Sequence, residues 1–269
     1  MVVSDAPDTD APLAGVGVLI TRPAHQAAHL AQLIEQAGGV AIRFPTIEIA
    51  PPVDLDPLLA IFGRLAEYDL AIFISPNAVE QTFSWLRAAK REWPSNLPVA
   101  CVGRTTAAAV EKQGLHATVP SERYDSEALL GLSLLQNVAH KQAVIFRGDG
   151  GRELLGDTLR QRGAAVTYAQ CYRRIRPHAD AETLIDTWRR GEIQVVSVTS
   201  TEGLRNLHAL LGETGRGWLY ATPVVVLSEA QAATCRELGG EAAIMIATAA
   251  TDEAILEAVK TWRRERLSL

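Results

Sequence analysis

Small polar residues recur where the apolar runs of this chain end: Thr21-Arg22-Pro23, Ser75-Pro76-Asn77-Ala78, Gly103-Arg104-Thr105-Thr106, Arg147-Gly148 and Ser200-Thr201-Glu202-Gly203. Hydroxyls and free backbone N–H groups at the carboxyl ends of strands grip carboxylates or phosphates, because loops and helix N-termini open there toward a ligand. Part of the pattern is N-capping, which Ser, Thr, Asn and Asp perform whatever the function. Capping leaves Arg22, Arg104 and Arg147 unexplained, since they add positive charge at the same ends. An anionic ligand is the expectation. A second concentration of reactive groups is "YAQCYRRIRP" (168–177), which holds two tyrosines, a cysteine and three arginines and ends toward a proline-bearing extended segment.

Other motifs carry less. "HQAAH" sets His25 and His29 one helical turn apart, as metal ligands can be, but the Glu of HExxH and a third ligand are missing. A solvent-facing helix pair is the plainer reading. "GDGGRE" (148–153) is glycine-rich between a strand and a helix, so it reads either as a tight turn or as a cradle for an anion on free helix N–H groups. It has neither the GK[ST] of a P-loop nor the GxGxxG spacing of a dinucleotide site. No GxSxG elbow or Cys-His signature supplies a nucleophile.

The elements that must position these groups are visible in the apolar pattern. "GVGVLIT" (15–21), "LAIFIS" (70–75), "PVACVG" (98–103), "AVIFRG" (143–148), "VVSVTS" (195–200) and "PVVVLS" (223–228) read as buried parallel strands. Each precedes a segment of helical spacing, so the fold class is α/β with parallel sheets flanked by helices. The plan is used twice, at a period of roughly 125 residues. "DLAIFISPNAVEQTFSWL" lies over "IQVVSVTSTEGLRNLHALL", "LPVACVGRTTAAAVEKQGL" over "TPVVVLSEAQAATCRELGG", and the block from "GVLITRP" over the block from "AVIFRGD". Two similar domains follow. "FPTIEIAPP" (44–52) and "YAQCYRRIRP" occupy equivalent places and are extended by their prolines, which suggests a double linker with one domain inserted in the other.

The boundaries expected are a disordered tail over 1–14, domain 1 from 15–44 with 175–269, domain 2 over 50–168, and linkers at 45–49 and 169–174. A net charge of −5 and a pI near 5.7 argue against non-specific nucleic-acid binding, which needs a broad basic surface. No apolar run reaches the twenty or so residues of a membrane helix, and the acidic N-terminus reads as neither signal nor anchor. Three widely separated cysteines suit reduced thiols in a cytosol, with no structural disulfide.

One ordered series is more specific. "ITRPAHQAAHLAQLIEQAGG", "FPTIEI", "FISPNAV", "VGRTTAAAVEKQG", "DSEALL", "RGDGGRELLGDTLRQRGAAV", "CYRR" and "TSTEGL" together resemble the uroporphyrinogen-III synthase family across nearly the whole chain after the tail. The resemblance implies two α/β domains joined by a two-stranded linker, an active site in the cleft between them, and no cofactor. It implies a substrate, hydroxymethylbilane, that is a linear tetrapyrrole with eight carboxylates, closed to the macrocycle with loss of water and inversion of ring D. It also assigns roles: Tyr172 of "CYRR" matches the family's candidate proton donor, and Ser75, Thr106 and Ser200 match its substrate contacts.

Thr21, Arg22, Asn77, Ala78, Gly103, Arg104, Arg147, Gly148 and Thr201 join the expected substrate-binding set, and no metal site is expected. The plainer reading of Tyr172 is a linker phenol packed at a domain interface. Two departures from the family pattern stand out. Ile74 occupies a position where a second hydroxyl is frequent, and Ser228-Glu229-Ala230-Gln231 replaces Gly103-Arg104-Thr105-Thr106 in the second copy. A cytoplasmic monomer without nucleic-acid or membrane partners completes the expectation. The competing readings are a hinged two-lobe binding module for a small anionic metabolite and, less favoured by the missing glycine fingerprint, a nucleotide-using enzyme.

Overall fold

Neighbouring strands in the two large sheets all pair parallel, and the helices that cross between strands cover both faces of each sheet. The computed structural model describes residues 11–121, 123–151 and 153–268. Elements are numbered along the chain. The described residues fall into two compact units: one joins those up to Glu48 to those from Ile175 onward, and the other is Ile49–Arg174.

The first unit holds β1 (Gly17–Ile20), α1 (Ala28–Gln36), β2 (Val40–Arg43) and the start of β3 (Glu48–Ala50). The second holds α2 (Asp56–Gly63), β4 (Leu70–Phe73), α3 (Pro76–Ala88), β5 (Val99–Cys101), α4 (Arg104–Glu111), α5 (Ser126–Leu130), α6 (Ser133–Gln136), β6 (Gln142–Arg147), α7 (Leu154–Gln161), β7 (Ala165–Gln170) and most of β8 (Arg173–Ile175). The chain then returns to the first unit with α8 (Ala181–Arg189), β9 (Val195–Ser197), α9 (Thr201–Ala221), β10 (Val224–Val226), α10 (Glu229–Glu237), β11 (Ile244–Ile246) and α11 (Asp252–Leu267). The chain changes unit within β3 and within β8, which pair as a two-stranded sheet.

Sheet order reveals the repeat. The first unit runs β11-β10-β9-β1-β2 and the second β5-β4-β6-β7, so β10-β9-β1-β2 corresponds strand for strand to β5-β4-β6-β7. These are the correspondences of the sequence repeat, with β11 as the extra strand. Along each sheet, alternate residues serve opposite layers. In the second unit Ala71, Phe73, Val99, Val144 and Phe146 pack under α2 and α3, with the Phe73 and Phe146 rings stacked at 4.8 Å. Leu70, Ile72, Ala143 and Ile145 face Leu129 of α5 and Leu155 and Leu159 of α7. The first unit does the same, with Val18, Ile20 and Val195 toward α1 and α11 and Leu19 and Val196 toward α8 and α9.

Two boundaries differ from the expectation. Residues 11–14 are folded, with Leu13 fully buried and its amide donating to the Ala37 carbonyl at 2.8 Å, while residues 1–10 of the expected tail lie outside the described residues. The second-unit sheet runs on to Gln170, because β7 pairs with β6 from Gln142↔Ala165 through Arg147↔Gln170, so residues 169 and 170 belong to that sheet and not to a linker. Within the first unit, α9 is two helices joined at a kink at Gly212, whose φ of 57° is left-handed.

All three thiols are free and buried. Burial pushes Cys101 up to about 12 and Cys171 and Cys235 up to about 11. A folded protein at pH 8 is therefore expected to leave all three unreacted with a thiol reagent until denaturant is added. Because these thiols ionise in the unfolded chain near pH 8.5 but stay protonated when folded, the unfolded state binds fewer protons above that pH. Stability is then expected to fall from about pH 8.5 toward pH 11, read as a declining urea midpoint.

Candidate active site

In a parallel sheet whose order reverses, the loops after the strands flanking the reversal open a crevice at their carboxyl ends. In the second unit those strands are β4 and β6, and the residues that follow them are Ile74-Ser75-Pro76 and Gly148-Asp149. Ser75 is the N-cap of α3, with its Oγ accepting from the Ala78 amide at 3.1 Å and Pro76 preset for the first helical turn. The same Oγ lies 3.1 Å from the Tyr172 hydroxyl.

Tyr172 itself falls between β7 and β8, in a two-residue break where the backbone leaves the sheet. It is 4% exposed and belongs to the second unit's hydrophobic core. Its neighbours hold it on several sides. The Cys171 amide donates to the Arg147 carbonyl at 2.9 Å, the Trp85 indole donates to the Cys171 carbonyl at 3.0 Å, and the Arg174 amide donates to Asp149 Oδ1 at 2.9 Å.

Burial pushes the Tyr172 phenol above its ordinary value, against the opposing pull of the Ser75 hydrogen bond and the Arg174 charge. The phenol therefore stays protonated through neutral pH and can donate. Should it lose its proton, the Ser75 hydroxyl can turn to donate back while its lone pair keeps the Ala78 amide, and the positive end of the 13-residue helix α3 favours the resulting charge.

The other expected residues divide. Asn77 is half-buried in the first turn of α3, and Ala78 lends its amide to Ser75 while its own side chain is buried. Gly103 is the N-cap of α4 without a side-chain cap, and Arg104 follows it, exposed, with its guanidinium 5.4 Å from the centre of the Tyr124 ring. A cation in the first turn works against the helix dipole, so Arg104 gains nothing from its own helix and rests instead against the Tyr124 ring. Ser200 caps α9 by accepting from the Gly203 amide at 2.9 Å, and Thr201 follows it, half-buried.

Four residues do not fit the expectation of ligand contact. Thr106 is 1% exposed and presents no side chain. Thr21 is buried and donates its hydroxyl to the Ser197 carbonyl at 2.8 Å. Arg22 is paired with Asp252, which also meets His29 Nδ1 at 2.9 Å. Arg147 is 5% exposed: it donates to the Gly150 carbonyl and to Glu153, each at 3.1 Å, and stacks on Tyr168 at 4.7 Å. The glycine-rich loop is thus wrapped around its own arginine. His25 lies in a short 3-10 turn ahead of α1, so it does not share a helical face with His29. Among the described residues no group of three His, Cys, Asp or Glu side chains is placed to hold a metal, and no helix is long and apolar enough to cross a membrane.

Sequence reasoning missed Asp149, Trp85 and Asp252. Asp149 was legible only as one residue of a glycine-rich turn, while Trp85 and Asp252 act over separations of 86 and 230 residues that no local pattern encodes.

The family model described as "Uroporphyrinogen-III synthase HemD" matches residues 28–257. The chain belongs to the uroporphyrinogen-III synthase family. Members of this family are cyclising lyases of haem biosynthesis. The uroporphyrinogen-III synthase of Escherichia coli (strain K12) is 39% identical over 247 residues, spanning 91% of this chain and 100% of that one. The enzyme of the same name from Synechococcus elongatus is 30% identical over 261 residues, 94% of this chain and 98% of that one. The fold is shared with a mutant uroporphyrinogen III synthase of Thermus thermophilus at a TM-score of 0.60 and 18% identity, covering 93% of this chain and 99% of that one. A uroporphyrinogen-III synthetase of Helicobacter pylori matches at 0.58 and 16%, covering 92% and 99%.

Ser75 and Ser200 cap corresponding helices, but only Ser75 has a second partner in Tyr172. Ser200→Ala is expected to lower stability by about 1 kcal/mol through the lost cap. Ser75→Ala should lower it by roughly 1 kcal/mol more through the lost phenol contact, as read from urea unfolding.

Proposed function

We propose that this chain closes hydroxymethylbilane to uroporphyrinogen III, with Tyr172 as proton donor to the departing hydroxyl. Support comes from one arrangement above all: a buried, protonated phenol, hydrogen-bonded to a helix-capping serine at the strand-order reversal of an α/β unit, in a chain of this family. The reaction needs a proton at its first step. The terminal carbon–oxygen bond breaks, the phenol proton joins the leaving hydroxide to give water, and an azafulvenium cation remains. The substituted carbon of ring D attacks that cation to form a spiro centre, which fragments and recloses through the other side of ring D. The ring carbon joined last then releases a proton, which restores the pyrrole and returns the phenolate to phenol, so the protein ends as it began.

A phenol whose value is raised is a weak acid at neutral pH, yet hydroxide is the conjugate base of water, with a pKa of about 15.7, so transfer to it runs downhill. The remaining demand is orientation. In water the bilane closes without inverting ring D, so the protein must hold the conformer that favours the rarer path. Backbone N–H groups and hydroxyls at the strand ends, with Arg104 as the exposed cation among the expected arginines of those ends, supply grips for the substrate's carboxylates.

The test is to mix purified protein with freshly generated hydroxymethylbilane, oxidise the products to porphyrins and separate the isomers. Isomer III is the expected product, and isomer I alone from demonstrably folded protein would overturn the reading. Tyr172→Phe is expected to lower kcat roughly ten- to a hundred-fold without abolishing turnover. Because the phenol titrates above its usual value, the wild-type rate should show no loss attributable to Tyr172 between about pH 6 and pH 9.

A further inference from the structure

We propose that Gly148 is a positioning residue for Tyr172, and that the position of the phenol is set by the missing side chain at 148. The proposal rests on the reading of Tyr172 as proton donor, and its physical part can be tested apart from that reading. Gly148 directly follows β6 and is buried. A Cβ placed there would lie 2.7 Å from Tyr172 Cε2, 2.8 Å from Cζ and 3.2 Å from the hydroxyl oxygen. Side-chain atoms do not approach closer than about 3.0 Å at the Cβ, so the ring occupies the space that any other residue would need.

The backbone does not explain the glycine. Gly148 is not among the glycines with positive φ, unlike Gly150 and Gly151 two and three residues later, so an L-residue could adopt its conformation. Only the aromatic ring excludes one. The ring also has little room to retreat with its backbone. The Cys171 amide is held by the Arg147 carbonyl and the Arg174 amide by Asp149, which clamps the chain on both sides of Tyr172 to the residues on both sides of Gly148. The Trp85 indole holds the Cys171 carbonyl as a third anchor. A methyl group at 148 must therefore be met by rotation of the ring about its own side-chain bonds, which carries the hydroxyl away from Ser75 Oγ, now at 3.1 Å. Gly148, expected from the sequence to contact substrate, acts instead through the phenol it seats.

The deciding readout is the alkaline titration of Tyr172 by ultraviolet absorbance. The chain has five tyrosines, so the Tyr172 component is the difference between a protein and its Tyr172→Phe counterpart. In the wild type this component is expected to titrate above the ordinary value of about 10, and in Gly148→Ala to shift from that position as the displaced phenol loses the Ser75 contact and its present burial. An unchanged titration overturns the proposal.

Kinetics give the second arm. Gly148→Ala is expected to lower kcat to about the level of Tyr172→Phe with KM within about two-fold, and the double variant should be no slower than Tyr172→Phe alone. Multiplying effects, or a raised KM with kcat intact, would make Gly148 a substrate contact and overturn it. If Tyr172→Phe proves as active as the wild type, the proton-donor reading fails while the titration still decides the seating. Should Gly148→Ala unfold, the comparison moves to a Tyr172→Leu background, where the drop in unfolding midpoint caused by Gly148→Ala is expected to be smaller. An equal drop in both backgrounds would overturn the proposal.

Discussion

Parallel pairing is the constraint from which the site follows. Parallel strands cannot be joined by hairpins, so each is followed by a crossing helix, and every strand of a sheet ends at the same edge. Strands buried on both faces carry few polar side chains, and the polar groups gather at that edge. In the second unit the reversal of strand order falls between β4 and β6, and the residues that meet the phenol, Ser75 and Gly148, are the ones that follow these two strands. Tyr172 completes the group because β7 lies next to β6 and ends beside it.

Charge in this protein is arranged more sparingly than the arginine count implies. Arg22 answers Asp252, and Arg147 is consumed by the turn it stabilises and by the Tyr168 ring, so neither adds much field at the strand ends. Both are short-range partnerships of a guanidinium that would otherwise be buried or half-buried without compensation. Arg104 differs, standing exposed at a helix start that repels it. For a substrate with many carboxylates, distributed backbone N–H groups and hydroxyls have an advantage over a dense cluster of arginines, since they need no charge of their own and fit an acidic chain.

The internal repeat and the sheet orders agree, and they explain why similar stretches differ in use. β10-β9-β1-β2 and β5-β4-β6-β7 are one arrangement entered at different points of the chain. Ser200 corresponds to Ser75 as a helix cap, yet only the second-unit copy carries a phenol beside its serine. Equivalent backbone scaffolds thus differ in the residues that meet at the strand ends.

The fold class, the repeat and six of the strands were legible in the residues alone, because burial on both faces writes a parallel strand as an unbroken Val/Ile/Ala run. β11, with the half-exposed "IMI" of an edge strand, carried no such signal. The capping roles of Ser75 and Ser200 were equally legible, since a cap is a contact over three residues. Folding alone settles which strand-end groups are already engaged by distant partners. The pairing of Arg22 with Asp252 and the Ser75–Tyr172 hydrogen bond join residues 230 and 97 positions apart. Gly148 is the sharpest case: its glycine looked like a ligand-facing turn in the sequence, but its backbone needs no glycine and the Tyr172 ring does. Local pattern records what a residue does to its own backbone, and the partner that meets it through space is settled only when the chain has folded.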